Sequence, residues 1–180
     1  RARANADRLK LAVIEDVYRS AAETAECEWR TVDSLSSDAA YGTSQRCEYD
    51  APGPGVLRIP NILDGRIDTG DLKRATAAGE LLAIGAIERG DFLVVRTNGS
   101  RDLIGRAALA LEQPDLPLYF ASYLIRYRLE CSVGDAIWIN WLWRAPSVRS
   151  KLEALAASSA GQYNLSLGKL ATVTLPFPSA

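Results

Sequence analysis

The chain has 180 residues, 48% hydrophobic and 24% charged, with a formal net charge of −1. That is enough chain for one substantial core, and the near-neutral balance argues against a uniformly basic nucleic-acid binder unless the charge is unevenly placed. Histidine is absent, which removes the usual general base at neutral pH and the commonest metal ligand.

Three cysteines, Cys27, Cys47 and Cys131, stand far apart with no C-x-x-C spacing. Neither a zinc site nor a disulfide scaffold is expected, and reduced thiols in the cytoplasm are. No apolar run approaches the ~18 residues of a membrane span, and no signal peptide is visible. With Arg1 at its start and no Met, the sequence reads as a piece of a longer polypeptide.

The first stretch, "RARANADRLKLAVIEDVYRSAAETAE", is predicted to be a helix. Leu9, Val13 and Val17 recur at i, i+4 and i+8, Leu11, Ile14 and Tyr18 widen the stripe, and no Gly or Pro interrupts. Two readings stay open: the tail of a coiled coil, or an amphipathic helix packed on its own domain. "EWRTVDSL" alternates like an edge strand. "SSDAAYGTSQRCEYDAPGPG" reads as loop. "GVLRIPNILDG" carries a short strand in which Pro60 is expected to hold Ile59 extended and end pairing. Two glycine turns follow in "DGRIDTGDLKR", then a short helix in "AAGELLAIGAI".

The strongest β signal is "GDFLVVRTNGSRDLIGRAALAL". It predicts a strand at Phe92–Val95, a polar hairpin tip at Asn98-Gly99 and a return strand from Leu103 to Leu111. "LYFASYLIRYRLE" predicts another strand, with Arg126 and Arg128 on one face opposite Tyr127. Two helices split by Pro146 follow, with Gly161 as a stop, and Trp138, Trp141 and Trp143 are expected in packing rather than base stacking. The fold class is therefore α+β: a single mixed, mainly antiparallel β domain with peripheral helices, preceded by an amphipathic helix.

Catalytic sets are missing from the sequence. There is no phosphate loop, no G-x-G-x-x-G after a strand and no N-P-P-[FY] segment of an amino-methylating enzyme. Nucleophile activation by histidine is impossible within the chain. The acid pairs Asp64/Asp68 and Glu15/Asp16 sit among turn and helix-surface signals, so a solvated face is the better reading. No catalytic or metal-binding residue is assigned.

Four segments in order, "LRIPNILDGRID", "GDFLVVRTNGSRDLIGRAAL", "YFASYLIRYRL" and "SSAGQYNLSLGKLATVTLPFP", resemble the target-recognition domain of a Type I restriction–modification specificity subunit. The last, with N-x-S-x-G-K-L running into a β stretch, is the most specific. "ADRLKLAVIEDVYRSA" looks like the end of the long helix that separates two such domains. The resemblance implies residues 1–26 as the end of the central spacer helix and 27–180 as the recognition domain, reading one half of a bipartite double-stranded DNA site. It implies methyltransferase (modification) subunits and a restriction/translocase subunit as partners, in the cytoplasm. S-adenosylmethionine and ATP with Mg would act only in those subunits, with no cofactor in this chain. The alternatives are a protein-interaction module working through the N-terminal helix, and a recognition domain of a fused restriction–methylation polypeptide.

DNA contact needs Arg or Lys for phosphates and Arg, Asn, Gln, Ser or Thr for base edges. The tip "RTNGSR" offers Arg96, Thr97, Asn98, Ser100 and Arg101. Across 89–106, Arg89, Arg96, Arg101 and Arg106 face only Asp91 and Asp102. "YGTSQR" offers Thr43, Ser44, Gln45 and Arg46, and "LRIPNILDGR" offers Arg58, Asn61 and Arg66. For Asn61 a bond to its own turn competes with DNA contact. Arg126 and Arg128 are either an exposed basic stripe or a surface with no partner.

In the closing stretch, Gln162, Tyr163, Asn164 and Lys169 are candidates for the DNA backbone. Ser158 to Tyr163 is expected to turn the chain off the preceding helix, and Pro176 and Pro178 to bar further pairing and aim the chain outward. Segments shared by relatives that read different sequences cannot carry sequence choice, so base readout is expected in loops 41–50 or 66–80.

Overall fold

The computed structural model describes residues 2–77, 79–156 and 161–177. Helix α1 (Ala2–Glu23) is followed by β1 (Glu28–Thr31), a 3-10 turn and β2 (Ser36–Tyr41). Then come β3 (Cys47–Glu48), β4 (Gly55–Leu57), a 3-10 turn over Ile59–Asn61, β5 (Ile62–Leu63), β6 (Gly65–Ile67) and β7 (Lys73–Ala75). Helix α2 (Gly79–Ile84) ends at Gly85, whose φ of 79° suits a residue without a Cβ. Strands β8 (Asp91–Val95), β9 (Thr97–Asn98), β10 (Ala107–Leu109), β11 (Leu118–Phe120) and β12 (Leu124–Leu129) lead to helices α3 (Val133–Leu142) and α4 (Pro146–Ala156). Ser132 caps α3 by accepting from Asp135 N–H, and Pro146 opens α4, where its missing N–H costs nothing. The chain finishes with β13 (Tyr163–Asn164), α5 (Leu167–Leu170) and β14 (Thr174–Phe177).

A six-stranded sheet has the order β2-β12-β8-β10-β6-β5 and a four-stranded sheet the order β11-β4-β7-β3. Among the named strands, only β10–β6 and β11–β4 pair in parallel, so the architecture is the mixed, mainly antiparallel α+β fold anticipated. Strand β8 shows why it is central. Phe92 and Val94 enter a core shared with Ile125, Tyr127, Ile139, Trp143 and Leu152, on the helix side. Leu93 and Val95 enter a second core with Leu57, Phe120 and Leu124. Period-2 alternation sends alternate residues to opposite faces, and here both faces are covered. Each such side chain contributes about 1.5–3 kcal/mol by burial.

Helix α1 packs against this body, but through a face rotated from the predicted stripe. Ile14, Tyr18 and Ala21 are buried, whereas Leu9, Leu11 and Val13 are exposed. Glu15 fixes the docking: its carboxylate accepts from both the N–H and the hydroxyl of Ser147 in the first turn of α4. A carboxylate there meets unpaired amides and the positive end of the helix dipole.

Several expectations are corrected. Ser36–Tyr41, read as loop, is the edge strand β2, held by five register pairs to β12 from Ile125 to Leu129. Ile59 opens a 3-10 turn instead of staying extended, although pairing does stop before it. The return strand is only Ala107–Leu109. Asn98 is not a simple hairpin tip: it leaves the β8–β10 pair to bond with Tyr163 of β13. "LYFASYLIRYRL" is two strands in different sheets. Pro176 does not bar pairing. It sits in β14 opposite Trp29 of β1, in a two-stranded ribbon where a missing N–H is tolerated, and its carbonyl accepts from Trp138 Nε1 at 2.8 Å. The expected turn through Ser158–Ala160 and the role of Pro178 lie outside the described residues.

Arg126 and Arg128 are not an exposed stripe. Arg126 is 2% exposed and pairs with Asp38, donates to Ile84 O at 3.2 Å and lies over the Phe120 ring. Arg128 is held by Asp91, Glu88 and Ala86 O. The Asp91 hydrogen bond outweighs burial and keeps the Arg128 guanidinium protonated beyond its ordinary range.

Candidate nucleic-acid interface

At the Val95 end of the large sheet, the structure gathers Arg96, Thr97, Asn98, Tyr163, Asn164 and Lys169 into one knot. Arg96 reaches across three elements. Its guanidinium donates to Ser122 O at 3.3 Å, Leu165 O at 3.5 Å and Asn164 Oδ1 at 3.0 Å, and it lies 4.6 Å from the centre of the Tyr41 ring. Thr97 Oγ1 donates to the same Asn164 oxygen at 3.0 Å, and Lys169 Nζ donates to Asn164 O at 3.1 Å. Ser166 caps α5 by accepting from Lys169 N–H, while Leu165 and Leu170 are buried.

The segment N-x-S-x-G-K-L is therefore bonded inward. It clamps the 96–98 strand to the sheet end. Asn98 Oδ1 accepts from Ser100 N–H at 2.6 Å, an Asx turn that shapes the tip. Ser100 is exposed, and Arg101 is exposed but paired with Glu153 at 2.8 Å. Tyr163 is half-buried and Gln162 exposed on the same rim.

A second group gathers on the small sheet. Pairing of β3 with β7 sets Cys47 opposite Ala75 and Glu48 opposite Arg74, so loops 41–50 and 66–80 become one surface. Cys47 and Ala75 face the core with Val56 and Leu81, and Arg74 is exposed. Arg66, Thr69, Leu72, Arg74, Gln113 and Leu118 line a cleft of about 610 Å³. Gly55 opposes Arg74 across β4–β7, and its bare backbone gives Leu118 room: a Cβ there would lie 2.8 Å from Leu118 Cδ2. Among the described residues neither Arg66 nor Arg74 has an ion-pair partner. Ser44 is exposed, and Arg46 is exposed in a pair with Glu48 at 2.9 Å. Arg58 is drawn back by Asp71 and sits 5.9 Å from the Tyr49 ring centre, with Lys73 on that ring at 5.1 Å.

Two candidates are corrected by burial. Asn61 is 1% exposed, and its amide is fully engaged: Oδ1 accepts from Arg58 N–H at 2.8 Å, and Nδ2 donates to Asp68 O and Asp71 O, both at 2.9 Å. Thr43 is 4% exposed, with its hydroxyl accepting from Gln45 N–H and its backbone bridged to the 120–122 turn. Both shape loops rather than face a ligand.

The basic excess counted over 89–106 is only partly offset in space. Arg101 finds Glu153, Arg106 approaches Asp64, and Asp91 belongs to Arg128. Sequence reasoning assigned no role to Arg144 and Arg149, which the α3–α4 corner brings beside Gly65 and Ile104. Their only sequence signal was two arginines bracketing Pro146.

No known protein-family profile matches the chain. Over 136 residues it is 26% identical to the Type I restriction enzyme EcoKI specificity subunit of Escherichia coli (strain K12), covering 74% of this chain and 29% of that one. The chain thus spans under a third of the curated relative it matches. Its fold is that of the HsdS subunit from Thermoanaerobacter tengcongensis, with a TM-score of 0.61 at 15% identity over 98% of this chain and 40% of that one. It is also similar to the Type I restriction–modification S subunit from M. genitalium, with a TM-score of 0.52 at 15% identity over 86% and 35%. The resemblance to Type I specificity subunits read from the four segments holds in both sequence and fold.

Proposed function

We propose that this chain is a non-catalytic DNA-recognition domain that reads one half of a bipartite double-stranded target for a Type I restriction–modification complex. The observation that carries this reading is the 136-residue sequence similarity to the EcoKI specificity subunit. Residues 1–26 are assigned to the end of the spacer helix and 27–180 to the recognition domain. The exposed Leu9, Leu11 and Val13 on α1 suit a helix that continues its packing against another helix.

Base readout is assigned to the β3–β7 surface, where loops 41–50 and 66–80 meet and Ser44, Arg66 and Arg74 point away from the core. Strand β3 is an edge of the small sheet with β7 beside it, and an arginine that reaches a major groove pairs with guanine O6 and N7. Methylation with S-adenosylmethionine belongs to modification subunits, and ATP- and Mg-dependent cleavage to a restriction/translocase subunit, all in the cytoplasm. Among the described residues no helix is long and apolar enough to cross a membrane.

Selection from a randomised duplex pool at low salt tests the reading, since phosphate contacts weaken steeply with ionic strength. One short motif is expected to enrich, with weak affinity, because half of a bipartite site lacks the effective-concentration gain of two linked modules. Failure to enrich any motif overturns the reading.

A further inference from the structure

Arg144 and Arg149 of the α3–α4 corner gather with Arg106 around Asp64 of the β5–β6 turn. Arg144 lies over Gly65: its Cζ is 3.4 Å from the point where a Cβ would stand. Arg149 lies under the 104–105 turn, with Nη1 donating to Ile104 O at 2.7 Å and standing 3.1 Å from the missing Cβ of Gly105. Arg106 leads into β10, and its Nε approaches Asp64 Oδ1 only to 3.7 Å, too far for a hydrogen bond. Gly65 and Gly105 have φ of 86° and 70°, so both turns depend on glycine and leave bare backbone beside the guanidinium groups.

The charge here is incompletely satisfied. The Arg144 side chain has no hydrogen bond or ion pair among the described residues, and the Nε atoms of Arg106 and Arg144 are buried without an acceptor. Arg149 reaches Glu153 only at 3.7 Å, and Glu153 is already held by Arg101 at 2.8 Å. The surrounding acids are Asp64, Asp102 and Glu153, and the Asp64 side chain is 74% exposed. A half-buried guanidinium with no acceptor is a group that calls for a missing anion. The planar fork of arginine fits phosphate oxygens pairwise.

We propose that Arg106, Arg144 and Arg149 form a seat for one DNA backbone phosphate beside the exposed Ser100–Arg101 turn. The assignment to DNA rests on the DNA-reading function proposed above. The seat positions the duplex and carries no sequence information.

Arg144→Gln is the informative variant, because no native bond is lost with it. Binding to the duplex enriched by the wild-type chain is followed by fluorescence anisotropy across a salt series. The expected result is on the order of tenfold weaker binding at low salt, a log–log salt slope shallower by about 0.9 and an unchanged motif. The unfolding midpoint should be equal or higher, since an unpaired half-buried charge is removed.

Wild-type affinity and slope in Arg144→Gln would overturn the seat. So would a lost affinity that comes with lower stability or a changed motif. A second arm measures thermal unfolding in inorganic phosphate against chloride at equal ionic strength. Phosphate should raise the midpoint of the wild type and not of Arg144→Gln, and an equal effect on both would overturn the seat. Phosphate stabilisation through Arg144 in a chain that enriches no duplex would overturn the DNA reading and leave a seat for free phosphate only.

Discussion

Arg96 follows the last residue of β8 and Arg74 is the middle residue of β7, and the two arginines are used in opposite ways. Arg96 donates to two carbonyls and to Asn164 Oδ1 and stacks on Tyr41. Arg74 is exposed at the edge of a 610 Å³ cleft, with no acceptor among the described residues. The same contrast separates Asn61, whose amide makes three hydrogen bonds inside a turn, from Ser44, which is exposed. The Asn164 knot and Asn61 bond inward, whereas Ser44, Arg66 and Arg74 leave their side chains outward. A recognition domain whose frame is reused for different targets requires that division. Changes in the frame should therefore cost stability and leave the motif alone, while changes in the open loops should do the reverse.

The largest effect on stability is expected from Asp38→Ala. It strands Arg126, 2% exposed, with only Ile84 O and the Phe120 ring for company. Leaving a buried charge without its counterion costs about 3 kcal/mol, measurable by urea unfolding. Asn61→Ala comes next, at about 2 kcal/mol, because Arg58 N–H and two carbonyls lose their partner in a buried turn. Any chain of either variant that remains folded should enrich the wild-type motif. A changed motif for Asn61→Ala would put that residue back on the DNA face and break the comparison.

Glu15→Gln sharpens it at the junction of α1 with the body, where a loss of about 1–2 kcal/mol is expected. Burial pushes the Glu15 carboxyl up, but hydrogen bonds from the Ser147 hydroxyl and N–H and from Arg19 outweigh it and hold the carboxyl below its ordinary value. Its stabilisation is therefore complete above about pH 4.5 and fades as pH falls through the lower folded value. Wild-type and Glu15→Gln unfolding curves should differ at neutral pH and converge in acid. A gap that persists at the acid end of the series would mean that shape rather than charge holds the contact.

Much of this was legible from pattern alone. Strand β8, the helices α3 and α4 and the break at Pro146 follow from hydrophobic period and proline chemistry, and long periodic elements announce themselves. Strand β2 did not, because its first five residues, Ser36-Ser37-Asp38-Ala39-Ala40, lack β-branched and aromatic side chains, and its strand state comes from pairing with β12. The fate of Arg126 and Arg128 was equally hidden. Their carboxylate partners Asp38 and Asp91 lie 88 and 37 residues away. Charge counted along 89–106 misled for the same reason, since Glu153 and Asp64 arrive from elsewhere in the chain. The β3–β7 pairing that joins two loops rests on two-residue registers too short to carry a pattern.

The smallest effect on stability, and the largest on specificity, is expected from Arg74→Ala. The side chain is exposed and unpaired, opposite a glycine on β4, so its loss should move the unfolding free energy by less than about 0.5 kcal/mol. A bidentate contact to a base edge is worth about 1–3 kcal/mol of discrimination. Duplex selection with Arg74→Ala should therefore relax one position of the enriched motif while the others persist. Arg96→Ala, which loosens the knot at the end of the large sheet, should lower stability and weaken every duplex alike. If Arg74→Ala kept the complete motif and Arg96→Ala lost one position of it, the roles of the knot and the β3–β7 surface would be exchanged. The inward hydrogen bonds of Arg96 would then describe the chain only in the absence of DNA.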